Sequence, residues 1–151
     1  MQQHERLHNI VPEVKVSYLD YMPNKLAGLY LDNEICINKN QGYYRNTGTL
    51  AEEIGHYFTS HGHITDYANN INHAKQELVA RRYGIKLLLP LERLIECYNL
   101  GITTEYEMVL HLEIDNKYLK DAIEDYKNKF GLWVKYEGYL IGFEPLDIKK
   151  L

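Results

Sequence analysis

The spacing of the apolar residues changes character twice along this chain, and that limits the folds open to it. Residues 13–22, EVKVSYLDYM, are rich in β-branched and aromatic side chains and stop before Pro23, as a strand does. LAGLYLDNEICINKN then reads as a hairpin, with arms at 29–31 and 34–37 and a turn at Asp32-Asn33. Helical spacing takes over next. In TLAEEIGHYFTSHG, Leu50, Ile54, Tyr57 and Phe58 recur on one face, Thr47 or Thr49 is a candidate cap, and Gly62 ends the run. After a loop over 64–71, NHAKQELVARRYGIKLLLP makes a second amphipathic helix that ends near Pro90. Three more helices are expected at about 90–99, 103–112 and 116–130, punctuated by Gly101 and Gly131. LWVKYEGYLIGFEPL closes the chain as a second hairpin turning at Glu137-Gly138. Strands, then helices, then strands specify an α+β fold and not a βαβ wind.

At 151 residues the chain suits a single domain with a real core. Residues 1–90 hold the first strands and the two amphipathic helices, and 91–151 a helical packing region and the last hairpin. The formal net charge of −4 gives nucleic acid no bulk attraction. TTEYEMVLHLEIDNKYLKDAIEDY has a helix-turn-helix rhythm. However, residues 101–116 carry Glu105, Glu107, Glu113 and Asp115 with no Lys or Arg, so a DNA-binding module is disfavoured. No run approaches a membrane span and no apolar leader is visible, so a cytoplasmic location is expected. Cys36 and Cys97 lack metal-site spacing and are expected as reduced thiols.

Two stretches carry possible zinc chemistry. Ligands at i and i+4 of a helix share one face with about 6 Å of rise between them, so both reach one ion. A Glu at i+1 points to the side, where it can hold and deprotonate a water. HERLH, with His4 and His8, has the full His-Glu-x-x-His spacing. It lies in the first eight residues among polar neighbours, so it is expected as a solvated terminal helix and not a rigid site. EEIGH lies mid-chain on the better helix. It puts Glu52 at the first ligand position, Glu53 at the general-base position and His56 at the second ligand position.

TLAEEIGHYFTSHG followed by QELVARRYGIKLLLP resembles the ImmA/IrrE metallopeptidases of phages and mobile elements. The first segment is similar to that family's zinc helix, usually written His-Glu-x-x-His-Tyr. The second is similar to its glutamate helix: Ala80, Tyr83 and Gly84 stand three, six and seven residues after Glu77, and Leu87, Leu88 and Pro90 follow. The likeness covers about residues 14–130. It implies a zincin-like small metallopeptidase fold, an N-terminal hairpin packed on the active-site helix, and one zinc per chain. It implies Glu52, His56 and Glu77 as ligands and Glu53 as general base. It further implies cleavage of a helix-turn-helix repressor of the CI type as the activity.

Glu at position 52 departs from the family pattern. A carboxylate ligates zinc well, but the added anion weakens the Lewis acid. Thr49-Leu50-Ala51-Glu52 also reads as a capping box, which needs no metal. Glu77 could instead pair with Arg81 at i+4. His61, His63 and His73 are alternative ligands by position, and Tyr57, Tyr67 and Tyr83 are candidate hydrogen-bond donors to a reacting carbonyl. A non-catalytic relative that binds a repressor without cutting it is the rival to the enzyme.

Overall fold

The computed structural model describes residues 2–59 and 70–151, with side chains from His73 onward in the second stretch. It divides into two compact units, Met1–Leu88 and Leu89–Leu151.

In the first unit α1 (Gln3–Ile10) leads into β1 (Lys15–Leu19), β2 (Gly28–Leu31) and β3 (Glu34–Asn38). A 3-10 turn (Lys39–Gln41), α2 (Tyr43–Thr59) and α3 (Asn70–Leu88) follow. The expected hairpin is β2–β3. Asp32 and Asn33 both have positive φ, the requirement of the tight turn that matches strand twist. The sheet order is β1-β3-β2, with β1 parallel to β3. β3 therefore takes the centre, and β2 is an edge. Ile35 and Ile37 are fully buried on one face, and their cross-strand partners there are Tyr30 and Gly28.

α2 covers this unit's core with Leu50, Ala51 and Ile54, all fully buried. Burial of Leu50 and of Ile54 stabilises by about 1.5–3 kcal/mol each. The helix starts at Tyr43, earlier than its apolar spacing suggests, because Asn46 and Thr47 are buried in its first turns. Thr47 and Thr49 are thus interior residues and not caps, and the capping box at Thr49 is not formed. The Thr47 hydroxyl donates to the Tyr43 carbonyl at 3.1 Å, and the Thr49 hydroxyl accepts from Gln41 Nε2 at 3.1 Å.

The N-terminal helix is better anchored than its polar sequence implies. Leu7 and the following Val11 are buried, Arg6 Nη2 donates to the Leu87 carbonyl, and the Tyr18 hydroxyl meets His4 Nδ1 at 2.9 Å and His8 Nε2 at 3.0 Å. A single buried leucine, with Val11 just past the helix and these polar contacts, holds a helix that has no continuous apolar face.

The second unit holds α4 (Leu91–Asn99), α5 (Glu105–Leu112) and α6 (Asn116–Phe130), then β4 (Trp133–Tyr136), β5 (Tyr139–Phe143) and β6 (Leu146–Lys150). Thr104 and Asp115 cap α5 and α6 by accepting from the backbone N–H groups of Glu107 and Tyr118. Leu94, Leu112, Ile114 and Ile141 are fully buried. The closing hairpin is extended to a three-stranded antiparallel sheet, order β4-β5-β6. The third strand, LDIKK, is short and lysine-rich, as edge strands tend to be, and so carries little apolar signal. Among the described residues no helix is long and apolar enough to cross a membrane. Both cysteines are free thiols.

Candidate metal centre

Two close backbone approaches set the geometry between α2 and α3. A Cβ on Gly55 would collide with the carbonyl oxygen of Ala80 and lie 2.9 Å from its carbon. A Cβ on Gly84 would lie 2.7 Å from the carbonyl oxygen of Ala51. The small residues at 51, 55, 80 and 84 therefore let two helices touch backbone to backbone. Gly55 immediately precedes His56, and Ala80 lies three residues after Glu77. The contact thus delivers His56 Nε2 to within 3.2 Å of Glu77 Oε2.

Glu52 stands one turn before His56, and both are half-buried. One donor atom each from Glu52, His56 and Glu77 lies within 4.8 Å of the others, a group able to hold a metal ion. Two ligands about 2.1 Å from a tetrahedral ion are roughly 3.4 Å apart, so the His56–Glu77 separation already matches one edge of a zinc site. The donor set, one imidazole and two carboxylates, suits zinc chemically.

Glu53 differs from these three. It lies on the buried face of α2 and is only 9% exposed. Burial first, then the charges of Glu52 and Glu77, push its carboxyl up to about 8; the backbone N–H of Tyr30 opposes the shift by donating to it. Without a cation, burial and these two charges keep Glu53 mostly protonated at neutral pH. A divalent ion among the three donors would offset the two neighbouring charges. The charge balance and the donor spacing therefore both fit a bound metal.

The group opens on a cleft of about 850 Å³. α2 contributes Glu52, Glu53 and His56, α3 contributes His73, Gln76 and Glu77, and residues 26–33 form the strand-side wall. β2 is pressed close: a Cβ on Gly28 would lie 2.6 Å from Thr49 Cγ2 and 3.2 Å from Glu53 Cγ. The Ala27 carbonyl accepts from the Asn38 N–H on the β3 side. By the alternation of an antiparallel ladder, Gly28 and Tyr30 turn their backbone groups outward from the sheet. The Tyr30 N–H reaching Glu53 agrees with that phase.

A family model for the IrrE N-terminal-like domain, peptidase M78, matches residues 11–128. The chain belongs to this family. No curated protein and no solved structure gave a match. The peptidase M78 assignment agrees with the α+β architecture and with a metal-holding group on the two central helices.

Other residues of this M78 chain fall elsewhere. His4 and His8 border a separate hollow with Tyr18 and Tyr43; the His4 ring stacks on Tyr43 at 4.5 Å between centroids. Burial lowers the His8 pKa, and burial pushes the Tyr18 hydroxyl up to about 12, so neutral forms are favoured there. Tyr57 donates to Glu13 Oε1 at 2.6 Å and Tyr83 stacks on Phe58; neither lines the cleft. His73 does line it but lies outside the metal group. Glu77 faces His56. His61, His63 and Tyr67 lie outside the described residues. Gln76 and the backbone of Gly28 and Tyr30 had no sequence signal of a role. Gln76 could have been found only by its place on the Glu77 face of α3.

Proposed function

We propose that this M78 protein is a zinc-dependent endopeptidase that cleaves a helix-turn-helix repressor of the CI type in the cytoplasm. The observation that carries the reading is the convergence of Glu52, His56 and Glu77 beside a buried carboxyl, Glu53, in a cleft walled by a strand edge. Glu52, His56 and Glu77 would hold one zinc ion per chain. Bound there, the ion supplies a Lewis acid that polarises the scissile carbonyl and acidifies the attacking water.

The chain's own residues do the rest. Glu53 takes the proton from water and returns it to the leaving amine. Its burial makes it a stronger base than an exposed carboxylate once neighbouring charge is offset. The outward backbone groups of Gly28 and the Tyr30 carbonyl pair with an extended substrate segment by strand addition, the Tyr30 N–H being held by Glu53. Leu26, Leu29 and Leu31, exposed on the same wall, give apolar side chains a place to rest.

Glu52 gives the rival reading its footing. Two carboxylates in the ligand set leave a weaker Lewis acid, which suits a protein that binds its repressor without cutting it. The deciding experiment mixes zinc-loaded parent and Glu53→Gln separately with the repressor encoded beside it. Fragments from the parent alone support the peptidase. Binding by both, with no fragments from either at full zinc occupancy, supports the non-catalytic reading.

A further inference from the structure

Hydrolysis of a peptide places negative charge on the former carbonyl oxygen, and a hydrogen-bond donor held at that point lowers the barrier. Among the described residues the cleft offers few such donors. The Tyr30 hydroxyl turns to Asn33 Oδ1 at 3.4 Å, the Thr49 hydroxyl is engaged by Gln41, and His56 belongs to the metal group. No Lys or Arg is among the described residues that line it.

Among the described side chains that line it, the Asn33 amide on the β2–β3 turn and two polar side chains on α3, His73 and Gln76, are left, and only the latter two share a helix with a metal-group residue. With Glu77 they stand at i, i+3 and i+4, so they share one face of the helix, and all three line the cleft. His73 is one turn from Glu77, about 6 Å along the axis, and is exposed. Its ring is not among the donors that converge at the metal position, yet it lines the same cleft, where a carbonyl held beside them would lie. Gln76 adds an independent pointer. Its Oε1 is buried and has no hydrogen-bond partner. Turned toward the cleft that the residue lines, this orphan acceptor is what a substrate peptide N–H would satisfy.

We propose that His73 is a catalytic residue, donating a hydrogen bond to the carbonyl oxygen of the scissile peptide as it becomes an oxyanion, with the Gln76 carboxamide receiving the substrate main chain beside it. The assignment rests on the peptidase reading. It makes α3 both a ligand-bearing and a substrate-facing helix, so that the substrate lies between α3 and the β2 edge.

The test uses the zinc-loaded full chain as parent, His73→Ala and His73→Gln. The probe is a phosphinic peptide with leucine side chains on both sides of the tetrahedral phosphinyl group, whose oxygens mimic the oxyanion. Binding is measured by calorimetry, and zinc stoichiometry is measured in parallel. All three proteins should hold the same zinc. His73→Ala should bind the probe about 100-fold more weakly, and His73→Gln, which keeps an N–H donor, should recover part of the loss. With the repressor as substrate, kcat should fall by a similar factor while KM stays put. Equal probe affinity in parent and His73→Ala would overturn the assignment, as would loss of zinc from His73→Ala or an effect confined to KM. A parent that holds zinc yet binds no phosphinic peptide would overturn the peptidase reading itself, and the role of His73 with it.

Discussion

His56 and Glu77 stand 3.2 Å apart because the helices that carry them meet at Gly55 and Gly84, where no side chain intervenes. The obstructing atoms are backbone, which cannot rotate away. Gly55→Ala should therefore push α2 and α3 apart, costing about 1–3 kcal/mol of stability and weakening metal binding. Urea unfolding and zinc titration would check this. A variant with parental stability and zinc affinity would show that the close approach does not set the site.

The buried Glu53 carboxyl predicts how stability responds to pH when metal is absent. Its ordinary value is 4.5, and in the folded chain it is pushed up to about 8, by burial first and then by Glu52 and Glu77. The folded state binds more protons than the unfolded state between those values. The stability Glu53 contributes is fully present below about 4.5 and is lost as pH rises through about 8. With a chelator present, unfolding free energy from this source should fall by a few kcal/mol across that window. Glu53→Gln, which never ionises, should flatten the slope, and parallel urea curves at pH 5 and pH 8 would show it. Identical pH slopes in parent and variant would contradict the burial argument.

Glu52→His should bind zinc at least as tightly as the parent. Imidazole is neutral, suits zinc, and removes one carboxylate from beside Glu53. Competition against a zinc-sensitive dye measures the affinity. Markedly weaker binding by a folded variant would mean that the carboxylate at 52 is fitted to this cavity.

His4→Ala with His8→Ala should leave zinc stoichiometry unchanged, since both rings meet Tyr18 and lie outside the metal group. Stability should drop by about 1–2 kcal/mol as the tie between α1 and β1 is lost. Elemental analysis and a thermal melt read the two effects separately.

Much of this was legible in the residues, and the parts that were not share a physical cause. Local chemistry announced both hairpin turns: Asp32, Asn33 and Gly138 adopt the positive φ their residue types tolerate, and Glu137 follows in the second turn. With Gly101 and Gly131 as punctuation, α4, α5 and α6 were placed to within about two residues. The pairing of β1 with β3 was not visible, because a parallel partner is chosen by tertiary packing and leaves no turn between the strands. The first turns of α2 were missed because their buried residues, Asn46 and Thr47, are polar. Leu7 anchors α1 within a stretch that looks wholly solvated. At the site, Glu52, Glu53 and His56 could be read from one helix. Glu77 needed the resemblance, since nothing local ties residue 77 to residue 56. The outward phase of Gly28 and Tyr30 needed the sheet.

The most direct measurement is the zinc content of protein purified without a polyhistidine tag, stripped with chelator and reloaded, for parent and His56→Ala side by side. The account predicts one zinc per chain in the parent and none retained by a folded His56→Ala. Full stoichiometry in His56→Ala, or none in the folded parent, would contradict it.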